Sequence, residues 1–253
     1  MAAPALRPLS TGEILDVAFS LYRRHFAALA TVAVISQAIG LVMQVYVEAA
    51  GGMLASPLLW FASAIVSTVG AAVGMGASTK IVADSYLGKP ATAGQAFAWA
   101  LPHAGQIIVM TVLGTLAVAI GFVFLVVPGI IIGCGIAVGA SALVVEGLGA
   151  TDAMNRSWNL TKGHRWKVFG VLLVSVVVVY MMTIAAGVVA GLFGIFAASD
   201  SMAGLVLLGV VTAVLSVFIY PFIYCSVTVL YYDLRVRKEA FDLEVLESQL
   251  AQS

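Results

Sequence analysis

EGLGATDAMNRSWNLTKGHRWK, residues 146–167, is a dense polar belt set between two long apolar tracts. Residues 90–145 before it and 168–199 after it contain no Asp, Glu, Lys or Arg. Four of the chain's 12 cations, Arg156, Lys162, Arg165 and Lys167, fall inside the belt. An uncharged tract of about 20 apolar residues is what crosses a hydrocarbon core about 30 Å thick. The tracts on either side therefore read as membrane-spanning helices, and the belt as a water-facing connection between them.

The rest of the chain has the same character. Of its 253 residues, 62% are apolar and 9% charged, with a mean hydropathy of +1.10. A soluble domain needs roughly 25% charged residues to cover its surface. Net charge is zero, so nothing points to a nucleic-acid partner. The first apolar run begins at Phe26, after a polar helical segment and without a cleavage pattern, and reads as a retained span. Cys134 and Cys225 both lie in apolar runs. Small packing residues are the simpler reading there, a disulfide or metal pair the sharper one.

Working outward, the expected architecture is an all-α integral membrane protein, one domain over 1–253. Ser10-Thr11-Gly12-Glu13 has the spacing of a capping box. It opens a helix over 11–24 with Ile14, Ala18, Leu21 and Tyr22 on one face and Arg23 and Arg24 among the polar residues of the other. That pattern suits a helix lying in the membrane interface, or else a polar extension of the first span. Charge-free runs place six spans at about 26–47, 57–79, 104–127, 130–148, 168–197 and 203–232, with a cytoplasmic tail over 233–253. Pro128-Gly129 is the expected turn of a tight hairpin between spans 3 and 4. Span 4 is short, and a re-entrant loop is the alternative there.

Orientation follows from the cations. With six spans, the loops after spans 1, 3 and 5 share one side and hold Glu48 and Asp200 but no Lys or Arg. All 12 cations lie on the other side, and cytoplasmic segments retain Lys and Arg. Both termini are therefore expected in the cytoplasm of a cell whose plasma membrane the chain spans.

A threefold recurrence accompanies this layout. Phe19, Phe97 and Trp158 each precede a histidine by six residues, His25, His103 and His164, immediately before spans 1, 3 and 5. Spans 2, 4 and 6 each end near an acid: Asp84, Glu146 and Asp233. The chain thus reads as three hairpins, each entered through a cytoplasmic interfacial helix, in a pseudo-threefold repeat. Chance similarity among apolar segments is the competing reading.

The chemistry on offer is sparse. No charged residue lies in the middle of a span, which argues against a proton-driven carrier. Polar span residues such as Gln37, Gln44, Ser67 and Ser175 suit interhelical hydrogen bonds. Gly70/Gly74, Gly129/Gly133, Gly135/Gly139 and Gly187/Gly191 have the spacing that lets helix backbones approach closely. No motif of nucleophile and base, paired acids or phosphate loop is present, so no catalytic residue, cofactor or metal is expected. The one metal hypothesis has His25, His103 and His164 converging on a single ion. In the belt, Thr151 is the expected cap of a helix whose Met154 and Trp158 face lipid, and Gly163 its stop. The candidate contacts for anionic lipid headgroups or a membrane or soluble protein partner are Arg156, Trp158, Lys162, His164, Arg165 and Lys167, joined by Arg23, Arg24, His25 and His103. Simple anchoring and specific recognition both fit these residues.

Three segments, LRPLSTGEILDVAFSLYRRHF, VVEGLGATDAMNRSWNLTKGHRWKVFG and LYYDLRVRKEAFDLE, occur in that order. The chain resembles the membrane domain associated with bacterial glycerophosphoryl diester phosphodiesterases. In that family the membrane domain is paired with a soluble TIM-barrel catalytic domain. The chain ends about 20 residues after span 6, so the resemblance implies a stand-alone membrane module and carries over no catalytic residue. The expected function is a non-enzymatic, lipid-facing scaffold or accessory module. The alternative is a transporter or passive channel for a lipid-like or small solute.

Overall fold

A computed structural model describes residues 7–196 and 202–239. Helix α1, Thr11–Arg24, starts at the expected capping box. Ser10 Oγ accepts from Glu13 N at 3.3 Å and Glu13 Oε2 accepts from Ser10 N at 2.7 Å. Its Ile14, Ala18 and Leu21 are buried, mainly against the last helix of the chain rather than against a bare interface.

Helix α2, Phe26–Ala49, is followed by the single turn α3, Gly52–Ala55, and by α4, Pro57–Tyr86. Pro57 sits in the first turn of α4, where its missing N–H costs nothing. Small residues bring α2 and α4 together. A Cβ on Gly70 would lie 2.2 Å from the Ser36 carbonyl oxygen, and one on Gly74 would lie 2.6 Å from Ser36 Oγ. The Gly187/Gly191 pair has the same spacing but nothing among the described residues within 4 Å of either position.

Helix α5, Ala93–Phe124, begins at Thr92, whose Oγ1 accepts from Gln95 N at 3.4 Å. The segment before residue 104 is thus the first turns of the same helix, which runs on through Pro102. Helix α6 is Val126–Ile136. The break before it is Leu125 alone, in extended conformation, and not the expected Pro128-Gly129. Proline costs little in a first helical turn, because N–H groups there have no intrahelical acceptor. Pro128 accordingly sits in the first turn of α6 instead of turning the chain.

Helix α7, Gly139–Glu146, continues the same tract after an interruption at Ala137 and Val138, so expected span 4 is two pieces. The Val138 N–H finds Ser157 Oγ at 3.2 Å. Gly147, with φ +65°, ends α7 in the left-handed conformation that glycine adopts without a Cβ penalty. The belt helix α8 is Ala150–Thr161, and its cap is Gly149, not Thr151. Helix α9, Arg165–Phe196, follows Gly163, and α10 is Met202–Glu239.

Among the described residues, five segments are long and apolar enough to cross a membrane: Phe26–Val47, Pro57–Tyr86, Ala93–Phe124, Val126–Glu146 and Arg165–Ala185. The expected sixth, 203–232, falls on α10, where the side chains of 202–218 lie outside the described residues. The tail beyond residue 239 also lies outside them. Apolar side chains such as Ile39, Val42, Leu58 and Val123 point outward on these helices, a surface suited to hydrocarbon and not to water. The large fully buried side chains Ile14, Ile81, Leu160, Tyr231 and Tyr232 gather at the end of the bundle that carries the belt.

Candidate lipid and partner interface

The belt end is closed by two ion-pair networks, one built around Glu146 at the end of α7 and one around Asp233 in the last turns of α10. Glu146, the last residue of α7, accepts from Arg156 Nε at 2.9 and 2.8 Å and from the Tyr231 hydroxyl at 2.5 Å. The other edge of the Arg156 guanidinium forks onto Glu239, with Nη2 to Oε2 at 2.8 Å. Arg235 Nε donates to the same carboxylate at 3.1 Å. Glu239 first and then Glu146 hold Arg156 above its ordinary pKa, and Arg156 lowers that of Glu239. Bidentate pairing of this kind is the strong form of a charge-assisted bond.

Asp233 centres the second network. It is 1% exposed and accepts from Leu9 N at 2.7 Å, Lys167 Nζ at 2.5 Å and Arg237 Nε at 3.0 Å. Lys167 and Arg237 also donate to the Leu9 carbonyl, at 2.5 and 2.7 Å. The segment before α1 is thereby tied to the end of α10 and the start of α9. The third acid, Asp84, pairs with Lys80 one turn earlier at 2.8 Å.

Among the sequence candidates, the structure separates inward from outward cations. Arg156 and Lys167 are engaged by carboxylates of the chain itself. Arg23, Arg24 and Lys162 are exposed, and Arg23 lies over the Phe19 ring at 5.8 Å. Arg165 is stacked on the Trp158 ring at 4.2 Å, and its buried Nε has no acceptor. Trp158 does not simply face outward. Its ring covers Gly135 so closely that a Cβ there would lie 2.2 Å from Cε3.

The three histidines have separate surroundings. His25 Nε2 lies 2.5 Å from Ser85 Oγ, and burial, then Arg24, lowers its pKa. His103 Nδ1 is 2.7 Å from the Trp99 carbonyl, its ring stacked on that of Trp99 at 4.3 Å. His164 Nδ1 is buried and without a partner. Among the described residues no group of three His, Cys, Asp or Glu could hold a metal ion, so the converging-histidine site is not formed.

Sequence reasoning singled out Glu146 and Asp233 but not the residues that complete their networks. Tyr231, Glu239 and the Leu9 backbone carried no visible signal, because their partners are up to 228 positions away. Trp166, 86% exposed, did carry one. An aromatic between two cations at the head of an apolar run is the pattern of an interfacial anchor.

Fold and site together define an all-helical protein whose apolar helices are fastened at one end by partly buried ion pairs. Residues 85–234 match the family described as a domain of unknown function, DUF7847, and the chain belongs to that family. The match takes in Glu146, Arg156, Lys167, Tyr231 and Asp233, and leaves out α1 and α2. No curated protein and no solved structure matches the chain.

Proposed function

We propose that this protein is a non-enzymatic, multi-pass scaffold or accessory module of the bacterial plasma membrane, with both termini and the belt in the cytoplasm. The observation that carries the reading is the closure of the belt. Arg156, Lys167, Arg235 and Arg237 are held by Glu146, Asp233 and Glu239, which fixes one end of the bundle as a rigid platform. Arg23, Arg24 and Lys162 remain exposed, where anionic headgroups or a partner can meet them. The resemblance to the phosphodiesterase membrane domain supports an accessory role beside a soluble enzyme.

One observation favours the transport alternative. A cavity of about 220 Å³ between α2, α4 and α10 is lined by Ser36, Gln37, Ser78, Tyr220 and Tyr224, and polar groups inside a membrane protein mark candidate pathways. Reconstitution in liposomes separates the two. The scaffold reading expects no leak of a trapped fluorescent dye and no acceleration of fluorescent-lipid flipping above empty vesicles. Protein-dependent flux of either kind, abolished by Gln37→Leu, would replace it with the transport reading.

A further inference from the structure

Helices α6 and α9 leave between them a groove of about 400 Å³. Val127, Ile130, Ile131 and Cys134 line it from α6, at the i, i+3, i+4, i+7 spacing of a single helix face. From α9 it is lined by Phe169, Trp166 and, as its one charged residue, Arg165.

Among the described residues that charge has no counterpart. Each of Arg156, Lys167, Arg235 and Arg237 has a carboxylate partner. No described carboxylate pairs with Arg165, and its Nε is buried without an acceptor. One face of the guanidinium is occupied by Trp158, so an anion can reach only its edge. A partly buried guanidinium without an anion is costly; a groove that supplies every other contact but no acid is complementary to a ligand that brings one.

The direction of the groove specifies the ligand. Arg165 is the first residue of α9, directly after the belt. From Cys134 beside it to Val127 is seven residues, about 10 Å along the helix. That depth lies within the roughly 15 Å of hydrocarbon in one leaflet. An anion at the belt end with an apolar chain running inward is the shape of a phospholipid of the leaflet that faces the belt.

We propose that the α6–α9 groove binds an anionic phospholipid, its acyl chain along Val127–Cys134 and its phosphate on the edge of Arg165. The proposal rests on the reading of the protein as lipid-facing and names the lipid class and the place.

The test uses the full chain, presented with equal amounts of phosphatidylglycerol and phosphatidylcholine of the same acyl chains, with retained lipid counted by native mass spectrometry. One accessible cation near the surface contributes about fivefold to anion preference. The wild type should therefore retain phosphatidylglycerol about fivefold over phosphatidylcholine. Arg165→Gln should bring the ratio close to one, and Arg165→Lys should keep most of it. Ile131→Trp, which fills the groove and leaves the charge, should lower retention of both lipids. An unchanged ratio in Arg165→Gln, or unchanged retention in Ile131→Trp, overturns the proposal, provided helix content matches the wild type. Either result leaves the scaffold reading standing if liposomes show no flux; flux overturns that reading whatever the lipid ratio.

Discussion

At Asp233, two cations and a backbone N–H converge on a carboxylate that is 1% exposed. Desolvating such a group is repaid only while all its partners are in place. Asp233→Asn keeps the shape but leaves Lys167 and Arg237 sharing a site without an anion. The expected loss is about 3 kcal/mol, the range for breaking a buried pair, read as a lower thermal midpoint in detergent. Lys167→Met should cost less, since Arg237 and the Leu9 N–H still satisfy the carboxylate. Sequence position drew attention to this acid, but its burial and its partner Leu9, 224 residues away, were not legible. Residues that meet only through folding leave no local pattern.

Helices α1 and α8 show how much of an element is written locally. The capping box of α1 formed as its spacing required, because every atom involved lies within one turn. It also makes α1 sensitive to acid. The Ser10 N–H, and then Arg7, lower the pKa of Glu13 from 4.5 to about 2. A depressed carboxylate stabilises the fold above its ordinary pKa and loses that effect as protons bind to it. Hydrogen-exchange protection of the first turn of α1 should therefore fall as pH drops from 4.5 toward 2, and Glu13→Gln should remove this pH dependence. For α8 the local reading chose Thr151 as cap, whereas the chain starts the helix at Gly149. Its place was decided by α6: Ser157 and Thr161 donate to the Gly135 carbonyl at 2.8 and 3.2 Å, and Trp158 covers the same glycine. Gly135→Ala should push the ring away and cost about 1–3 kcal/mol, as overpacking does. Adding Trp158→Ala should recover part of that loss in a double-mutant cycle.

On the scale of the whole molecule, the distribution of charge gives a topology that can be checked directly. If the proposed six-span topology holds, with all 12 cations on the cytoplasmic side, green fluorescent protein fused after residue 253 will fluoresce and alkaline phosphatase there will be inactive. The reverse pattern would invert the orientation. By itself, the sequence determined that the chain is helical and that several tracts are apolar enough to cross a membrane. These properties depend on composition and on helical periodicity, both of which are local. Tertiary structure decided the rest: that Leu125 and not Pro128 turns the chain, and that Arg156 and Lys167 face inward to acids while Arg165 does not. The physical reason is that a cation's role depends on which carboxylate lies within about 4 Å of it, and for Arg156 and Lys167 those carboxylates come from other helices.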